Sequence, residues 1–161
     1  MSRRQQIVMS ETEIDAYLAS QLTVIVVSNG VNGFPHPMPM HFCLADPRTI
    51  AMTTYRKSQK VLNLRRDARA SLLLESGRSY AELRSLLIYA HAEIVDDHAA
   101  TMACMRATRA HSNAARGTPA TPDEDAAFEA GLGARAEKRL VLKFHPEAYV
   151  SWDHSKLGGR Y

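Results

Sequence analysis

The residues best suited to chemistry lie together between positions 52 and 67, where a short apolar run gives way to hydroxyl and basic side chains. The stretch Met52-Thr-Thr-Tyr-Arg-Lys-Ser-Gln-Lys60 predicts the end of a β-strand, a turn, and a helix that begins at about Ser58. Free amides at a helix N-terminus bind anions, and the helix dipole favours negative charge there. Lys57 and Lys60 are three residues apart and occupy neighbouring positions. The segment therefore predicts a phosphate-binding cradle.

The competing interpretation of this segment is an ordinary solvated helix, because basic turns are common in proteins. We expect that interpretation to hold for Arg65 and Arg66, which follow the turn on the same helix. The charges alone leave both interpretations of the turn open.

Length and composition indicate the class of protein that contains this turn. A chain of 161 residues, 45% apolar and 23% charged, predicts one globular domain over residues 1–161. No apolar run approaches the roughly 18 residues that a membrane span needs. The start, Met1 to Gln6, has no apolar stretch behind its charges, so we expect a cytoplasmic protein without a secretory signal. Cys43 and Cys104 lack metal-binding spacing and predict buried free thiols.

The hydrophobic pattern predicts short strands with few helices between them. Six strands are expected, at 22–27, 35–44, 49–54, 69–75, 86–95 and 140–152, the last as two pieces or one bent strand. Helices are expected from about residue 10 to 19, 58 to 66, 98 to 109 and 121 to 131, with disorder at 112–120. The absence of β-α-β alternation favours a mainly β protein with added helices, a six-stranded antiparallel barrel carrying a helical insertion at about 98–138.

The second strand, Pro35-His-Pro-Met-Pro-Met-His-Phe-Cys-Leu44, has an unusual composition. Pro37 and Pro39 cannot donate hydrogen bonds on their side, so this strand must lie at an edge or beside something other than a strand. His36 and His41 have opposite strand parity and cannot both point at one metal ion without a bulge. We therefore expect no metal site here.

The order of these segments resembles the pyridoxamine-phosphate-oxidase-like, FMN-binding split-barrel family, which also includes deazaflavin-dependent reductases. The resemblance is carried by the proline-rich strand, Thr53-Thr54, Ser58-x-Lys60, Asn63-Leu-Arg-Arg-Asp67, Ala90-His-Ala-Glu-Ile-Val-Asp96 and Trp152. It covers residues 9–97, weakens over the helical insertion, and returns at 149–159. It implies an FMN-binding split barrel and a flavin-dependent oxidoreductase that acts on a small organic substrate by hydride transfer.

The resemblance also implies which residues would hold the cofactor. The phosphate would lie against Thr54, Ser58, Gln59 and Lys60, with Arg56 or Lys57 as helpers. The flavin ring would lie along Met38, Pro39, Met40 and His41, with Thr53 beside it and Arg84 near a further contact position. Trp152, together with Lys156, would close the site from a second subunit, so the family resemblance implies a homodimer. No catalytic side chain is implied, because the flavin supplies the hydride chemistry.

Several alternatives stay open at this point. Met38 and Met40 could be core filler, His41 a polar residue on a half-exposed strand, and Trp152 a plug of the barrel mouth. The cofactor could be the deazaflavin coenzyme F-420, whose acidic tail would call for further cations such as Arg56, Lys57 or Lys156.

Two further function classes compete with a flavin enzyme. A non-catalytic flavin- or haem-binding module would need an axial ligand such as His36, His41 or His154. A nucleic-acid binder is not expected, because no aromatic residues accompany Arg65 and Arg66.

A departure from the family pattern indicates which substrate is not expected. The tail from Asp153 to Gly159 lacks the arginine-rich motif of the vitamin oxidases, and Arg160 comes too late to replace it. The resemblance therefore implies a substrate other than the vitamin.

Overall fold

The computed structural model describes residues 2–158; Met1, Gly159, Arg160 and Tyr161 lie outside the described part of the chain. The helices are α1 Arg3–Gln6, α2 Glu11–Ser20, α3 Gln59–Arg66, α4 His98–Arg116, α5 Pro122–Ala130 and α6 Leu132–Ala136. The strands are β1 Thr23–Asn29, β2 Pro35–His41, β3 Cys43–Leu44, β4 Ile50–Tyr55, β5 Arg69–Ser76, β6 Arg84–Val95 and β7 Arg139–Asp153. Two 3-10 turns complete the described chain, at Tyr80–Glu82 and His154–Leu157.

All seven strands form one antiparallel sheet, in the order β2-β1-β5-β6-β7-β4-β3. The two end strands, β2 and β3, are consecutive in the chain and are separated by Phe42 alone. The sheet must therefore curl until its two edges approach each other at Phe42, where no ladder joins them. The expected fold class, a mainly β split barrel with added helices, is confirmed. The count rises from six strands to seven because Phe42 interrupts the second predicted strand.

The edge position of β2 explains how the sheet accommodates its prolines. β2 pairs with β1 alone, and Pro35, Pro37 and Pro39 stand opposite every second residue of β1. Their shared parity places the three missing N–H groups on the side away from β1. The prediction that this strand needs an edge is confirmed.

The helix α2 begins at a capping box, a pattern that Ser10-Glu-Thr-Glu13 already shows in the sequence. The Ser10 hydroxyl accepts from the Glu13 amide at 3.3 Å, and the Ser10 amide donates to Glu13 Oε2 at 2.6 Å. Met9 is buried just before the cap, and the helix buries Tyr17 and Leu18. The helix therefore packs one face on the barrel core, which also contains Phe42 and Phe144.

The last strand, β7, is one bent strand of 15 residues. A register shift separates its two halves, because Ala90 of β6 pairs with Pro146 while Tyr89 pairs with Ala148. Glu147 is the extra residue of this bulge. The bulge lets one strand pair with β4 at its beginning and with the start of β6 at its end.

Helices α4, α5 and α6 form the insertion between β6 and β7. The expected disorder at 112–120 is wrong for its first part, since α4 continues to Arg116 and ends at Gly117 with φ +66°. Tertiary contacts account for the extra turns. His111 donates to the Gln21 carbonyl at 2.8 Å and stacks near Phe42, with ring centroids 4.6 Å apart. Composition-based expectations miss such contacts because they depend on the folded barrel.

Cys43 and Cys104 are both buried and free, as predicted, with their sulfur atoms 3.9 Å apart. They pack α4 against the β3–β4 edge together with Ala51 and Val141. Within residues 2–158, no helix combines the length and apolarity needed to cross a membrane.

Replacement of Phe42 tests the closure of the barrel. Phe42 has no exposed surface and lies where the two sheet edges approach. We expect Phe42→Ala to lower the free energy of unfolding by about 3–5 kcal/mol, because the substitution leaves a cavity. Phe42→Leu retains most of the buried volume and should cost clearly less. Urea titration at one fixed protein concentration measures both, and equal losses for the two variants would contradict a packing role.

Candidate functional site

The turn between β4 and α3 leaves the beginning of the helix open to a ligand. Ser58 occupies the N-cap position of α3, but its hydroxyl makes no capping hydrogen bond. That hydroxyl lies instead 3.3 Å from Thr54 Oγ1, at the end of β4. The first amides of α3 consequently have no side-chain cap, and such amides favour an anion.

Lys60 supplies a positive charge at the same place. It is only 7% exposed, and its Nζ donates to Thr54 Oγ1 at 3.0 Å. No carboxylate pairs with it in the part of the chain that the structure describes. Burial, and secondarily the charge of Arg139, lowers the pKa of Lys60 below its ordinary value of 10.5. A buried ammonium group without a counter-ion is rare, because desolvation of the charge is unfavourable.

Three of the four predicted phosphate residues are thus brought together by direct contacts, and the fourth belongs to a polar chain beside them. Gln59 Nε2 donates to Asn63 Oδ1 at 2.9 Å, and Asn63 Nδ2 donates to Ser28 Oγ at 3.1 Å. Asn63 and Ser28 are buried. We call Thr54, Ser58, Gln59 and Lys60 the anion cradle. The polar chain fixes the cradle's helix to β1.

The two predicted helper residues differ from each other. Arg56 forms an ion pair with Asp96 and donates to the carbonyls of Glu137 and Arg139 at 3.1 and 3.2 Å. It therefore fastens the turn to both ends of the helical insertion. Lys57 is exposed, and no hydrogen bond or ion pair of residues 2–158 involves it.

The predicted ring-contact residues lie along the sheet edge. Met40 is half-buried and packs against the barrel core, which favours the core-filler interpretation for it. Met38, on the same face, is 36% exposed, and Pro39 is exposed. His41 is exposed and donates through Nδ1 to the Leu22 carbonyl at 3.0 Å.

His41 and Thr53 line one cavity of about 380 Å³ between the barrel and the helical insertion. Thr53 and Thr54 are adjacent in β4, so their side chains point to opposite faces of the sheet. Arg139 connects this cavity with the anion cradle, since it lines the cavity and its charge acts on Lys60 of the cradle. A larger cavity of about 730 Å³ lies between α4 and α5 and touches none of the predicted cofactor residues.

The remaining predicted residues form a separate cluster at the other end of β7. Arg84 forms an ion pair with the buried Asp153 at 2.9 Å, and the half-buried Trp152 stands opposite Ser85. Lys156 donates to the Val8 carbonyl at 2.8 Å and to Glu13 at 2.6 Å. Trp152 is thirteen residues beyond Arg139 in the strand, roughly 40 Å of extended chain. Within one protomer, the structure does not bring these residues to the cradle.

No cluster of three His, Cys, Asp or Glu side chains suited to a metal ion occurs in residues 2–158. The cradle chemistry instead fits a phosphate ester, because it offers an unpaired ammonium group, hydroxyls and uncapped amides.

The sequence of the chain also matches a known protein family. The family model for pyridoxamine 5'-phosphate oxidase matches residues 10–153. The chain belongs to the pyridoxamine 5'-phosphate oxidase family. The resemblance inferred from the order of the motifs is thereby confirmed, and the cradle lies within the matched part of the family domain.

Solved structures resemble this family member over most of its length. A conserved hypothetical protein from Mycobacterium tuberculosis is 32% identical, with a TM-score of 0.84 over 100% of this chain and 95% of the other. An F420 reductase is 20% identical, with a TM-score of 0.61 over 84% and 94% of the two chains. The haem storage protein HutZ of Vibrio cholerae is 12% identical, with a TM-score of 0.62 over 88% and 94%. Among curated proteins, none matches the chain significantly.

Sequence reasoning missed a group of arginines, three of which lie in the helical insertion. Arg109, Arg116 and Arg135 line the cavity beside Thr53, together with Arg139. Their positions span thirty residues, so no local motif connects them. It also assigned no role to Ser28, or to Asn63, although Asn63 begins one of the motifs that carry the family resemblance.

The ion pair of Lys156 with Glu13 gives a pH-dependent test of the C-terminal cluster. The Lys156 ammonium, and next the Ser10 amide, lowers the pKa of Glu13 to about 2 from 4.5. A lowered carboxyl pKa stabilises the fold above pH 4.5, and the effect disappears as the pH falls through about 2. We expect a Glu13→Gln and Lys156→Met double-mutant cycle to give a coupling energy at pH 7 that vanishes near pH 2.

Urea unfolding at each pH measures this coupling. The glutamine keeps an acceptor for the capping box, so the helix start is retained. A coupling energy independent of pH would contradict the ion pair.

Proposed function

We propose that this chain is a flavin-binding oxidoreductase that holds the phosphate of FMN in the anion cradle and acts on a small organic substrate. The observation that carries the proposal is the buried Lys60 ammonium, which has a hydroxyl partner but no counter-ion among residues 2–158. Membership in the pyridoxamine 5'-phosphate oxidase family supports it. When bound, the flavin supplies reversible hydride transfer, and the protein supplies binding and orientation.

The cradle suits a phosphate monoester better than a weaker ligand. A dianion would receive charge-assisted hydrogen bonds from Lys60 and hydrogen bonds from Ser58 and the first amides of α3. It would also relieve the repulsion between Lys60 and Arg139. The Ser28–Asn63–Gln59 chain already fixes the helix, so little ordering remains for the binding step.

The ring would lie along β2, from Met38 to His41, with Thr53 beside it. β2 has no strand on its outer side in the described sheet, so its outward carbonyls are available to a planar ligand. At Pro37 and Pro39 no N–H group faces that ligand. The residues thus orient the ring, and none of them needs to act as an acid or base.

Two other cofactors remain alternatives on the same fold. The deazaflavin coenzyme F-420 carries a phosphate and a tricyclic ring, and an F420 reductase shares the fold. A haem-binding module without catalysis is the other alternative, since a haem storage protein also shares the fold. The absorption spectrum of the purified protein separates them: FMN gives a band at roughly 450 nm, and haem gives a Soret band.

The role of Lys60 is tested by its near-isosteric replacement with methionine. We expect Lys60→Met to weaken FMN binding by about 1.5–3 kcal/mol, or about 10- to 150-fold in Kd, because a charge-assisted contact is lost. Quenching of flavin fluorescence measures the affinity. Riboflavin, which lacks the phosphate, should bind both proteins equally.

Arg65→Met is the matched control, because Arg65 is an exposed cation on the same helix. Its FMN affinity should equal that of the unchanged protein. An equal loss of riboflavin and FMN affinity in Lys60→Met would assign Lys60 a structural role and refute the cradle.

We further propose that the working unit is a homodimer in which the partner's C-terminal segment covers the cofactor. The hairpin that carries β2 exposes Val31 by 76% and Phe34 by 71%, and Tyr55 and Leu62 are exposed beside the cradle. An apolar surface of this kind favours a protein partner. Trp152 lies at the far end of β7 in its own protomer, so a second copy would be needed to bring it to the ring.

Substitution of Phe34 tests the homodimer. We expect light scattering to give twice the 17.9 kDa chain mass, and Phe34→Glu to give monomers with weakened FMN binding. Phe34→Leu keeps an apolar side chain and should behave as the unchanged protein. A monomeric Phe34→Glu variant with unchanged FMN affinity would refute a site shared between subunits.

A further inference from the structure

The cavity beside Thr53 has a lining of one charge sign. It is formed by residues of β2, β4, the three helices of the insertion and β7: His41, Thr53, Met105, Thr108, Arg109, Ser112, Asn113, Arg116, Phe128, Arg135 and Arg139. Four of the eleven are arginines, and none is acidic. We call this cavity the arginine groove.

The guanidinium groups of the groove are only partly compensated by the protein. Arg109 forms an ion pair with Asp125 at 3.0 Å. Arg116, Arg135 and Arg139 form no ion pair with a carboxylate within residues 2–158. Arg135 donates to the Phe128 carbonyl, and its charge acts on Glu129 nearby. Unpaired guanidinium groups that converge on one cavity attract an oxyanion, and their planar fork matches a carboxylate.

Phe128 gives the groove an apolar and fixed wall. The guanidinium carbon atoms of Arg109 and Arg135 lie 4.8 and 4.7 Å from the centre of its ring. Met105 adds a second apolar surface, and Asn113 adds an amide. A volume of about 380 Å³ suits a small organic molecule rather than a bare ion.

We propose that the arginine groove is the substrate subsite and that it selects an organic carboxylate with a small apolar body. The proposal rests on the proposed function, because it places the substrate beside Thr53 and His41, where the ring would lie. The carboxylate would bind Arg116 and Arg135, and the apolar body would lie against Phe128 and Met105. The insertion thereby determines the substrate class, while the barrel holds the cofactor.

An acidic cofactor tail is the other source of carboxylates for such a groove. The deazaflavin coenzyme F-420 carries one, whereas FMN does not. We favour the substrate because the groove also has an apolar wall, for which an acidic tail has no use. The experiment is therefore arranged to separate these two sources.

Isothermal titration with benzoate and its neutral isostere benzamide tests the subsite directly, with and without FMN. We expect benzoate to bind at least tenfold more tightly than benzamide in both states. Arg116→Gln and Arg135→Gln should each weaken benzoate binding by roughly 5-fold or more and leave FMN affinity unchanged. Benzoate should also perturb the spectrum of the FMN-loaded protein.

Arg65→Gln is the matched control, because Arg65 is an exposed arginine outside the groove and forms no ion pair within residues 2–158. It should bind benzoate normally. Equal affinity for benzoate and benzamide would overturn the proposal. So would an Arg116→Gln variant that loses affinity for the deazaflavin coenzyme while keeping its benzoate affinity, because the groove would then serve the cofactor tail.

The titration without FMN keeps this test separate from the proposed function. Benzoate selectivity in a protein that binds no flavin would support the groove and refute the cofactor assignment. Flavin binding without benzoate selectivity would do the reverse.

Discussion

The ammonium group of Lys60 is almost withdrawn from water at the start of α3, and much of the surrounding structure follows from that placement. A buried charge without a partner is unfavourable, and here the compensation within the chain is a single hydroxyl, that of Thr54. Burial is the main cause of the lowered pKa of Lys60, and the charge of the neighbouring Arg139 lowers this pKa further. Such a group lowers the stability of the free protein and favours the binding of an anion. Residues at binding sites often show this opposition between stability and function.

The buried Lys60 charge favours anion binding only if the surrounding elements are held in place and cannot rearrange around it. Three anchors prevent that. The Ser28–Asn63–Gln59 chain ties α3 to β1 inside the barrel. Arg56 ties the turn to Asp96 before the insertion and to the carbonyls that follow it. The strand ladder of β4 with β7 fixes Thr54 opposite Leu140. The helix amides and Lys60 are therefore oriented before any ligand arrives, which reduces the entropy cost of binding.

Local sequence signals predicted the parts of this structure that depend on neighbouring residues. The capping box at Ser10, the helix start at Thr121, the edge strand with its prolines and the turn at Ser58 each rest on residues within a few positions of one another. The motif order identified the family and, with it, the cradle. The chain order alone also placed the insertion between the last two strands.

Long-range packing decided what the sequence did not reveal. The last turns of α4 have a loop-like composition, yet His111 packs on Phe42 and bonds to Gln21, so the helix continues. The family resemblance implies cofactor contacts for Arg84 and Lys156, and it gives no sign of their ion pairs. In the fold, Arg84 pairs with Asp153 and Lys156 pairs with Glu13, residues that are far from them in the sequence. The arginines of the groove belong to three different elements, α4, α6 and β7. Helical periodicity accounts only for Arg109 and Arg116, which are seven residues apart on α4, and the folded chain brings the other two to the same cavity.

Arg139 links the two halves of the site. It begins β7, its guanidinium lies 4.2 Å from the centre of the Tyr55 ring, and it lines the arginine groove while its charge acts on Lys60. An anion in the groove would reduce the repulsion that Arg139 exerts on Lys60, and an anion in the cradle would reduce the same repulsion from the other side. The two anions would repel each other weakly. Each would nevertheless contact a cation, Lys60 in the cradle or Arg116 in the groove, that forms no ion pair within residues 2–158. On this proposal the barrel binds the phosphate, and the insertion can change the substrate without disturbing that site.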